Sequence, residues 1–368
     1  MEYRINKRTG DKISVLGFGT SYIAQADEKD AIATIRQAYE GGVNYFDLAT
    51  AESRTFPYFG AALGDVRKNV RYQIHFGANY QGGPYGFTLD AETIKKSIHW
   101  QLEKLGTDYI DYGFIHCLDE VADWRKYQKN GALAFLMELK EQGVVRHLGL
   151  SSHTPATIQQ VMDDVPLDML MFSVNAAYDY HKGTYGKGST DERTAVYRRC
   201  EAEGVGIAVM KPFAGGQLLD ASLSPFGQAL THYQCLQYAL DRPGVLTVLP
   251  GMSSVEQIKH LLDFFEASPE EKDYSVVLAS TPQFSLKGKC MYCNHCLPCP
   301  SHINIAQVHK LLDLVEEGQT PPPTVQAHHE ELSAHASQCI GCRACESRCP
   351  FGVNVTENMA RAKEVFGK

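Results

Sequence analysis

The sequence lacks the features that take a chain across a membrane or onto nucleic acid. No apolar run approaches the roughly 20 residues that a membrane-spanning helix needs. The first ten residues, MEYRINKRTG, lack the apolar segment of a secretory signal peptide. Acidic residues outnumber basic ones, 43 to 35, and a net charge of −8 gives no basic surface for nucleic acid or an anionic membrane. We therefore expect a soluble, cytoplasmic protein that binds neither.

Cysteine is scarce in the first three quarters of the chain, which hold only Cys117, Cys200 and Cys235 of the 11 cysteines. The other eight fall between Cys290 and Cys349. In a cytosolic chain, such clustering favours metal binding over disulfides. It also predicts a domain boundary. We expect one large domain over residues 1–284 and a small cysteine-rich domain over residues 285–368.

A glycine-rich dinucleotide loop is also missing after the first predicted strand, which argues against a doubly wound open sheet. After a predicted β-hairpin in residues 3–15, short apolar runs alternate with amphipathic helical patterns over roughly 250 residues, the period of a (β/α)8 TIM barrel. The predicted strands are LGFG near Leu16, NYF near Asn44, YQIHF near Tyr72, IDYGFIH near Ile110, RHLGLS near Arg146, MLMFSV near Met169, GIAVM near Gly206 and VLTVLP near Val245. The predicted helices include residues 30–40, 56–63, 91–104, 132–141, 192–203, 305–317 and 356–366.

Polar side chains stand at the ends of four of these strands. Asp47 follows NYF, His75 lies near the end of YQIHF, His116 ends IDYGFIH, and Lys211 follows GIAVM. In α/β barrel enzymes the catalytic side chains lie at the carboxyl ends of the strands. If the strands form one barrel, these groups converge on a single site.

The cysteine-rich domain contains two quadruple runs, C-x2-C-x2-C-x2-C-P and C-x2-C-x2-C-x3-C-P. In two-cluster ferredoxins the fourth cysteine of each run binds the other cluster. That pattern predicts two [4Fe–4S] clusters in a ferredoxin-like domain. Zinc is the alternative, since four-cysteine zinc sites also use C-x-x-C pairs, but two runs that both end in Cys-Pro favour iron–sulfur. The predicted ligands are Cys290, Cys293, Cys296 and Cys349 for one cluster, and Cys339, Cys342, Cys345 and Cys299 for the other.

Several segments resemble the aldo/keto reductase family, and the resemblance covers about residues 3–265. They are NYFD at Asn44, GAAL at Gly60, FTLDAETIKKSIHWQLEKLGTDYIDYGFIH at Phe87, VRHLGLSS at Val145 and VLPGMSSVEQI at Val248. With its cysteine-rich tail, the chain resembles the branch of this family that carries a C-terminal iron–sulfur domain. The resemblance implies an oxidoreductase that acts on the carbonyl or hydroxyl group of a small substrate. A redox partner protein would then exchange electrons with the clusters.

The resemblance also implies a catalytic set, with two departures. The family places an aspartate, a tyrosine that protonates the substrate oxygen, a lysine that lowers the pKa of this tyrosine, and a histidine that orients the carbonyl. Asp47 and His116 match, whereas Glu52 stands at the tyrosine position and His75 at the lysine position. We expect His75 or Glu52 to donate the proton and His116 to orient the substrate oxygen. The charge of Asp47 should fix the protonation state of the neighbouring side chain. Two other readings stay open: a metal site built from these four side chains, or structural roles as a cap and a core histidine.

Nicotinamide binding departs from the family pattern as well. Ser151, Ser152, Asn175 and Lys211 match family positions around the nicotinamide, and Ser253, Ser254 and Gln257 begin a helix that could bind phosphate. However, His260 and Leu261 replace the Glu-Asn pair that holds the adenine, and no arginine is placed to bind a 2′-phosphate. The family resemblance therefore implies NAD(P)H as a cofactor, whereas the residues at the adenine and 2′-phosphate positions do not favour its binding.

Two further functions remain open. Glu52 and His75 could act as acid and base in a lyase, dehydratase or epimerase that uses no nicotinamide, with structural clusters. Alternatively, the chain could be an electron-transfer partner without catalysis, which leaves the polar strand ends unexplained.

Overall fold

The computed structural model describes residues 1–80, 83–180, 186–280 and 288–368. The predicted domain boundary between residues 284 and 285 lies outside the described residues. The strands are β1 (Tyr3–Ile5), β2 (Lys12–Ser14), β3 (Phe18–Gly19), β4 (Tyr45–Asp47), β5 (Arg71–Phe76), β6 (Ala78–Asn79), β7 (Gly86–Phe87), β8 (Ile110–Ile115), β9 (Val145–Ser151), β10 (Met169–Ser173), β11 (Gly206–Met210) and β12 (Val245–Val248).

Eight of these strands form the predicted parallel barrel, in the order β3-β4-β5-β8-β9-β10-β11-β12. Parallel bridges from Leu16 to Val248 and from Gly19 to Gly251 bring the first strand beside the last. The closure requires glycine at residue 19, because a Cβ there would lie 2.7 Å from the carbonyl oxygen of Leu249. The predicted hairpin is also confirmed, since β1 and β2 pair antiparallel.

Helices cover the outside of the barrel and form most of the cysteine-rich domain. In the barrel they are α1 (Glu28–Glu40), α2 (Phe56–Leu63), α3 (Ala91–Leu105), α4 (Val121–Lys129), α5 (Ala132–Glu141), α6 (Pro155–Asp164), α7 (Ala176–Asp179), α8 (Thr190–Glu203), α9 (His232–Leu240), α10 (Val255–Leu262) and α11 (Ser275–Ala279). In the cysteine-rich domain they are α12 (Ile305–Leu312), α13 (Pro323–Glu330), α14 (Ala344–Arg348) and α15 (Val355–Phe366). None of the helices in the described ranges has the length and apolarity to span a bilayer.

The local sequence explains where typical helices begin and end. Asp90 caps α3 by accepting a hydrogen bond from the Thr93 N–H, and Gly106 ends the helix with a left-handed backbone, φ 63°. One prediction was too long: the helix expected over residues 305–317 ends at Leu312. The proline-rich segment after it begins α13 instead, because Pro323 occupies a first-turn position where its missing N–H costs no hydrogen bond.

The cysteine-rich domain packs along the side of the barrel formed by α7, α8 and α9. Tyr178 on α7 and Leu218 after β11 share one hydrophobic core with Met291 and Cys296. Polar contacts continue this packing toward the amino ends of the strands, since Arg242, which precedes β12, donates from Nη2 to the Met291 carbonyl at 3.0 Å. The cysteine-rich domain therefore contacts the barrel along its side, from the loop after β11 to the segment before β12.

Candidate active site

Asp47 and His75 meet inside the barrel because β4 and β5 are neighbours. Nε2 of His75 lies 2.7 Å from Oδ1 of Asp47, and both side chains are buried. Gln73 Nε2 donates to the same carboxylate oxygen at 3.1 Å, and Tyr45 fixes that amide by donating to Gln73 Oε1 at 2.7 Å. A carboxylate can only accept hydrogen bonds, so we assign the Nε2 proton to His75.

His116 extends this arrangement from the next strand. Its Nδ1 lies 2.8 Å from Nδ1 of His75. Because the proton of His75 is on Nε2, its Nδ1 must accept, and His116 donates from Nδ1. Burial, together with the neighbouring His75 and His153, holds the pKa of His116 well below its usual value. His116 is therefore neutral, with Nε2 as an acceptor.

Tyr85 supplies the group that donates to this acceptor. It lies just before β7, and its hydroxyl is 2.7 Å from Nε2 of His116. Burial of the hydroxyl raises the pKa of Tyr85 to about 12, so it carries its proton at neutral pH. The residue as a whole is 41% exposed, which makes Tyr85 the outermost member of the chain of hydrogen bonds. Sequence reasoning missed this residue; the available signal was QGGPYGF, a turn-rich stretch with a tyrosine between the barrel strand β5 and α3.

Glu52 lies beside the Tyr85 segment through its backbone. Residues 52 and 84 form an antiparallel bridge, and the Tyr85 N–H donates to the Ala51 carbonyl at 2.9 Å. Within the described ranges, the carboxylate of Glu52 has no hydrogen bond or ion pair. The structure thus brings Asp47, His75 and His116 together and leaves the Glu52 side chain out of their hydrogen-bond chain.

A second polar group occupies the same end of the barrel. Lys211 Nζ lies 3.0 Å from Nε2 of His153, and Nδ1 of His153 lies 2.9 Å from Oδ2 of Asp119. Cys117 completes the group, because its sulfur and the ligand atoms of Asp119 and His153 lie within 4.8 Å of one another. Cys117, Asp119 and His153 were not predicted, although each follows a barrel strand within four residues.

The residues predicted around a nicotinamide are held by local contacts. Asn175 donates from Nδ2 to the Lys211 carbonyl at 2.9 Å and accepts from the Tyr178 N–H at 2.9 Å. Ser152 donates to Asp119 at 3.3 Å, and Ser151 is buried on β9. Asn175 and Ser152 are thus already engaged with protein groups, and nicotinamide binding by this set stays a prediction.

The phosphate end of the predicted nucleotide site is also internally paired. The Ser253 N–H donates to Gln257 Oε1 at 2.8 Å, while Ser254 caps α10 by accepting from the Gln257 N–H at 3.3 Å. Two of the backbone N–H groups that would face a phosphate are therefore bonded within this segment.

Two small cavities in the cysteine-rich domain are each lined by four cysteines. Each set combines three cysteines of one run with the last cysteine of the other. Cys290, Cys293, Cys296 and Cys349 line one cavity, and Cys299, Cys339, Cys342 and Cys345 line the other.

The spacing of these sulfur atoms separates iron–sulfur from zinc. In the described parts of the chain, no three cysteines bring their sulfurs within 4.8 Å of one another. Four sulfurs around one zinc ion at about 2.3 Å would lie only about 3.8 Å apart. A cube spaces its ligands farther apart, because irons and sulfides lie between them, so the two cavities fit [4Fe–4S] clusters better.

Known proteins resemble the chain along both of its parts. The Aldo/keto reductase family model matches residues 15–234, and a 4Fe-4S dicluster domain model matches residues 289–354. L-galactose dehydrogenase from Arabidopsis thaliana is 28% identical over 293 residues, which are 70% of this chain and 86% of that protein. YqkF, an uncharacterized oxidoreductase of Bacillus subtilis, is 24% identical over 67% of this chain and 85% of its own length.

Solved structures share the barrel fold. The holo form of aldo-keto reductase AKR11C1 from Bacillus halodurans is 24% identical and has a TM-score of 0.60, covering 74% of this chain and 94% of that one. The thermostable aldo-keto reductase Tm1743, in complex with the inhibitor epalrestat, is 21% identical over 75% of this chain and 98% of its own, with a TM-score of 0.55. The family model spans more than half of the sequence, and the barrel has the matching architecture. This oxidoreductase chain therefore belongs to the aldo/keto reductase family and continues into a 4Fe-4S dicluster domain.

Proposed function

We propose that the barrel interconverts a hydroxyl and a carbonyl group of a small substrate. Tyr85 exchanges the proton with the substrate oxygen, and electrons pass through two [4Fe–4S] clusters in the cysteine-rich domain. One observation carries this proposal: an unbroken chain of hydrogen bonds runs from the exposed Tyr85 through His116 and His75 to the buried Asp47.

The chain of hydrogen bonds can carry a proton in both directions. In the oxidation direction, Tyr85 takes the substrate hydroxyl proton as its own proton passes to His116 Nε2. His116 then releases its Nδ1 proton to His75, which passes its Nε2 proton to Asp47. In the reduction direction, a protonated Asp47 reverses each transfer. Because the four transfers are linked, Tyr85 need not accumulate as a phenolate, which its raised pKa would oppose.

The two sets of four cysteines support the electron part of the proposal. Cys290, Cys293, Cys296 and Cys349 would hold one cluster, and Cys299, Cys339, Cys342 and Cys345 the other. When bound, each cluster would supply one-electron transfer, so two clusters match the two electrons that separate a hydroxyl from a carbonyl, while the hydrogen on the carbon atom is exchanged with solvent as a second proton.

A short series of contacts joins the first cysteine set to the barrel mouth. Tyr180 donates to the sulfur of Met291, next to Cys290, at 3.2 Å. Tyr180 directly follows α7, and Asn175 at the other end of that helix binds the Lys211 carbonyl. These contacts link the first cysteine set to the segment that holds Lys211.

The second set is placed to exchange electrons with a redox partner protein. Cys342 is exposed, and the neighbouring Ile340 is 70% exposed. An apolar, accessible edge beside a cluster is what a transient partner needs for close approach. A partner that docks there would exchange electrons with the cluster that Cys299, Cys339, Cys342 and Cys345 would hold.

The substrate class follows from the site and from a relative. Tyr85 presents a single hydroxyl that fits an alcohol or carbonyl oxygen. The plant relative is named for the oxidation of L-galactose, a hydroxyl-bearing small molecule, and this supports the same broad class here.

The test uses anaerobically reconstituted protein with reduced methyl viologen as the electron donor. Viologen oxidation should depend on an added small aldehyde or ketone, and Cys342→Ala should abolish it while the barrel stays folded. A parallel incubation in deuterated water, with oxidised clusters and a panel of hydroxy acids and sugars, tests acid–base chemistry. Deuterium incorporation without any electron donor would instead support the lyase or epimerase alternative.

A further inference from the structure

We propose that Lys211, His153 and Asp119 form a nucleophile–base triad that captures a small aldehyde or ketone as an imine on Lys211. This activity is separate from the redox function proposed above and uses none of its proton-transferring side chains. It rests on a linear arrangement: amine, imidazole and carboxylate follow one another at 3.0 Å and 2.9 Å. A nucleophile next to a base that a third group orients is the general pattern of nucleophilic catalysis.

The imidazole of His153 is fixed in the tautomer that a base needs. Asp119 accepts from both the backbone N–H and the Nδ1 of His153, at 2.6 Å and 2.9 Å. With its proton on Nδ1, His153 presents an unprotonated Nε2 to the amine. His153 is only 4% exposed, and its ring cannot turn without losing the contact from Nδ1 to Asp119.

Lys211 itself has the properties of a reactive amine. Burial lowers its pKa, although the neighbouring Cys117, Asp119 and Asp47 oppose this, so the neutral amine is more abundant than on a surface lysine. Its side chain is partly exposed, which leaves a path for a substrate.

The backbone at this position is unusual as well. Lys211 has φ 54°, and nearby Cys117 has φ 50°, both in the left-handed region that non-glycine residues avoid. Such conformations are energetically unfavourable and occur preferentially at functional sites. Asn175 holds the strained segment by donating to the Lys211 carbonyl.

The proposed reaction balances without an oxidant. The Nζ lone pair attacks the carbonyl carbon, and the first proton that Nζ loses passes through Nε2 of His153 to the former carbonyl oxygen, which gives the neutral carbinolamine. The second Nζ proton follows the same route to the carbinolamine hydroxyl, which leaves as water while the C=N bond forms. No atom changes its oxidation level, so the step needs neither cluster.

A metal site is the competing reading, because Cys117, Asp119 and His153 lie close enough to share one ion. Both ring nitrogens of His153 are already engaged, Nδ1 with Asp119 and Nε2 with Lys211. An ion would have to displace one of them and would lie beside the lysine amine. The geometry favours the triad.

The experiment traps the imine in the holoprotein. The protein is incubated at neutral pH with glycolaldehyde and sodium cyanoborohydride, and peptide mass spectrometry measures labelling of each lysine. Lys95 serves as an internal reference, because it is a surface lysine on α3 that pairs with Glu92. We expect preferential labelling of Lys211 over Lys95, lost in Lys211→Arg and slowed about 10²-fold in His153→Gln.

Two outcomes would overturn the proposal. One is labelling of Lys211 no faster than that of Lys95 in the unaltered protein, a comparison that needs no variant to fold. The other is unchanged Lys211 labelling in a folded His153→Gln protein, or in Asp119→Asn if His153→Gln fails to fold.

Discussion

The hydroxyl of Tyr85 lies 2.7 Å from Nε2 of His116. This contact brings a phenol to the candidate active site, although Glu52 stands at the position of the family's tyrosine in this chain. The tyrosine comes from a different segment, held in place by backbone pairing of residues 51–53 with residues 83–85. The phenol at the candidate site thus comes from the segment after β5, whereas Glu52 follows β4.

Iron and sulfide content tests the cluster assignment. Anaerobic protein should contain about eight iron and eight sulfide per chain, as two [4Fe–4S] cubes require. Cys349→Ser should alter the electron paramagnetic resonance signal of the cluster held by Cys290, Cys293 and Cys296, although residue 349 belongs to the other run. Zinc in place of iron, or only four irons in fully reconstituted protein, would contradict the assignment.

The buried carboxylate of Asp179 should be important for stability. It accepts hydrogen bonds from Arg193, Tyr197 and Tyr238, all at 2.8 Å. Asp179→Ala leaves the buried Arg193 charge uncompensated, which we expect to lower the free energy of unfolding by about 3–5 kcal/mol.

A matched control for this variant is Asp163→Ala, which removes a surface ion pair with Arg199 at 2.8 Å. It should cost no more than about 1 kcal/mol, because exposed ion pairs contribute little. Chemical denaturation of both variants measures the difference. An equal loss of unfolding free energy in both variants would show that the hydrogen bonds to Asp179 are not a major source of stability.

Acid sensitivity is expected from His329. Its ring is fully buried and stacks on Phe366 with ring centroids 4.1 Å apart, and neither ring nitrogen has a hydrogen-bond partner among the described residues. Burial, with His335 nearby, lowers its pKa to about 4. Between the unfolded pKa, about 6.5, and this value, the unfolded chain binds a proton that the folded chain does not, so stability falls as the pH falls through this window.

His329→Phe should remove that contribution. The variant should lose less stability than the unaltered protein between about pH 6.5 and about pH 4, as measured by denaturation at several pH values. His302→Phe, which changes an exposed histidine, is the control, and its free energy of unfolding should change with pH as steeply as that of the unaltered protein. An equally steep change in His329→Phe would show that another group causes the pH dependence.

The sequence predicted the barrel and three of the four members of the hydrogen-bond chain for one physical reason. Parallel strands in a closed barrel end at the same face, so Asp47, His75 and His116 had to approach one another. The pattern of strands is enough to predict which residues lie at these strand ends, whatever the conformation of the loops. The exchange of the fourth cysteines follows similarly from the repeated spacing of the two runs, although their role as ligands stays a prediction.

Tyr85 and His153 could not be placed in this way. Tyr85 reaches His116 because a short hairpin returns over the barrel mouth, and hairpin geometry is not encoded in hydrophobic periodicity. A role for His153 can be inferred only from its contacts with Lys211 and Asp119, which follow other strands. The helix predicted over residues 305–317 was too long because the apolar pattern continues at Leu314 and Val315 beyond the end of the helix.

The kinetics of Tyr85→Phe test the central claim, that Tyr85 exchanges the substrate proton. With viologen-driven reduction as the assay, Tyr85→Phe and Tyr85→Ala should both lower turnover by about 10²–10⁴-fold, while Glu52→Gln should leave it nearly unchanged. Iron content and thermal stability serve as folding controls for all three variants. Full activity of Tyr85→Phe together with loss of activity in Glu52→Gln would contradict the account, and faster turnover of Tyr85→Ala would show that Tyr85 only covers His116.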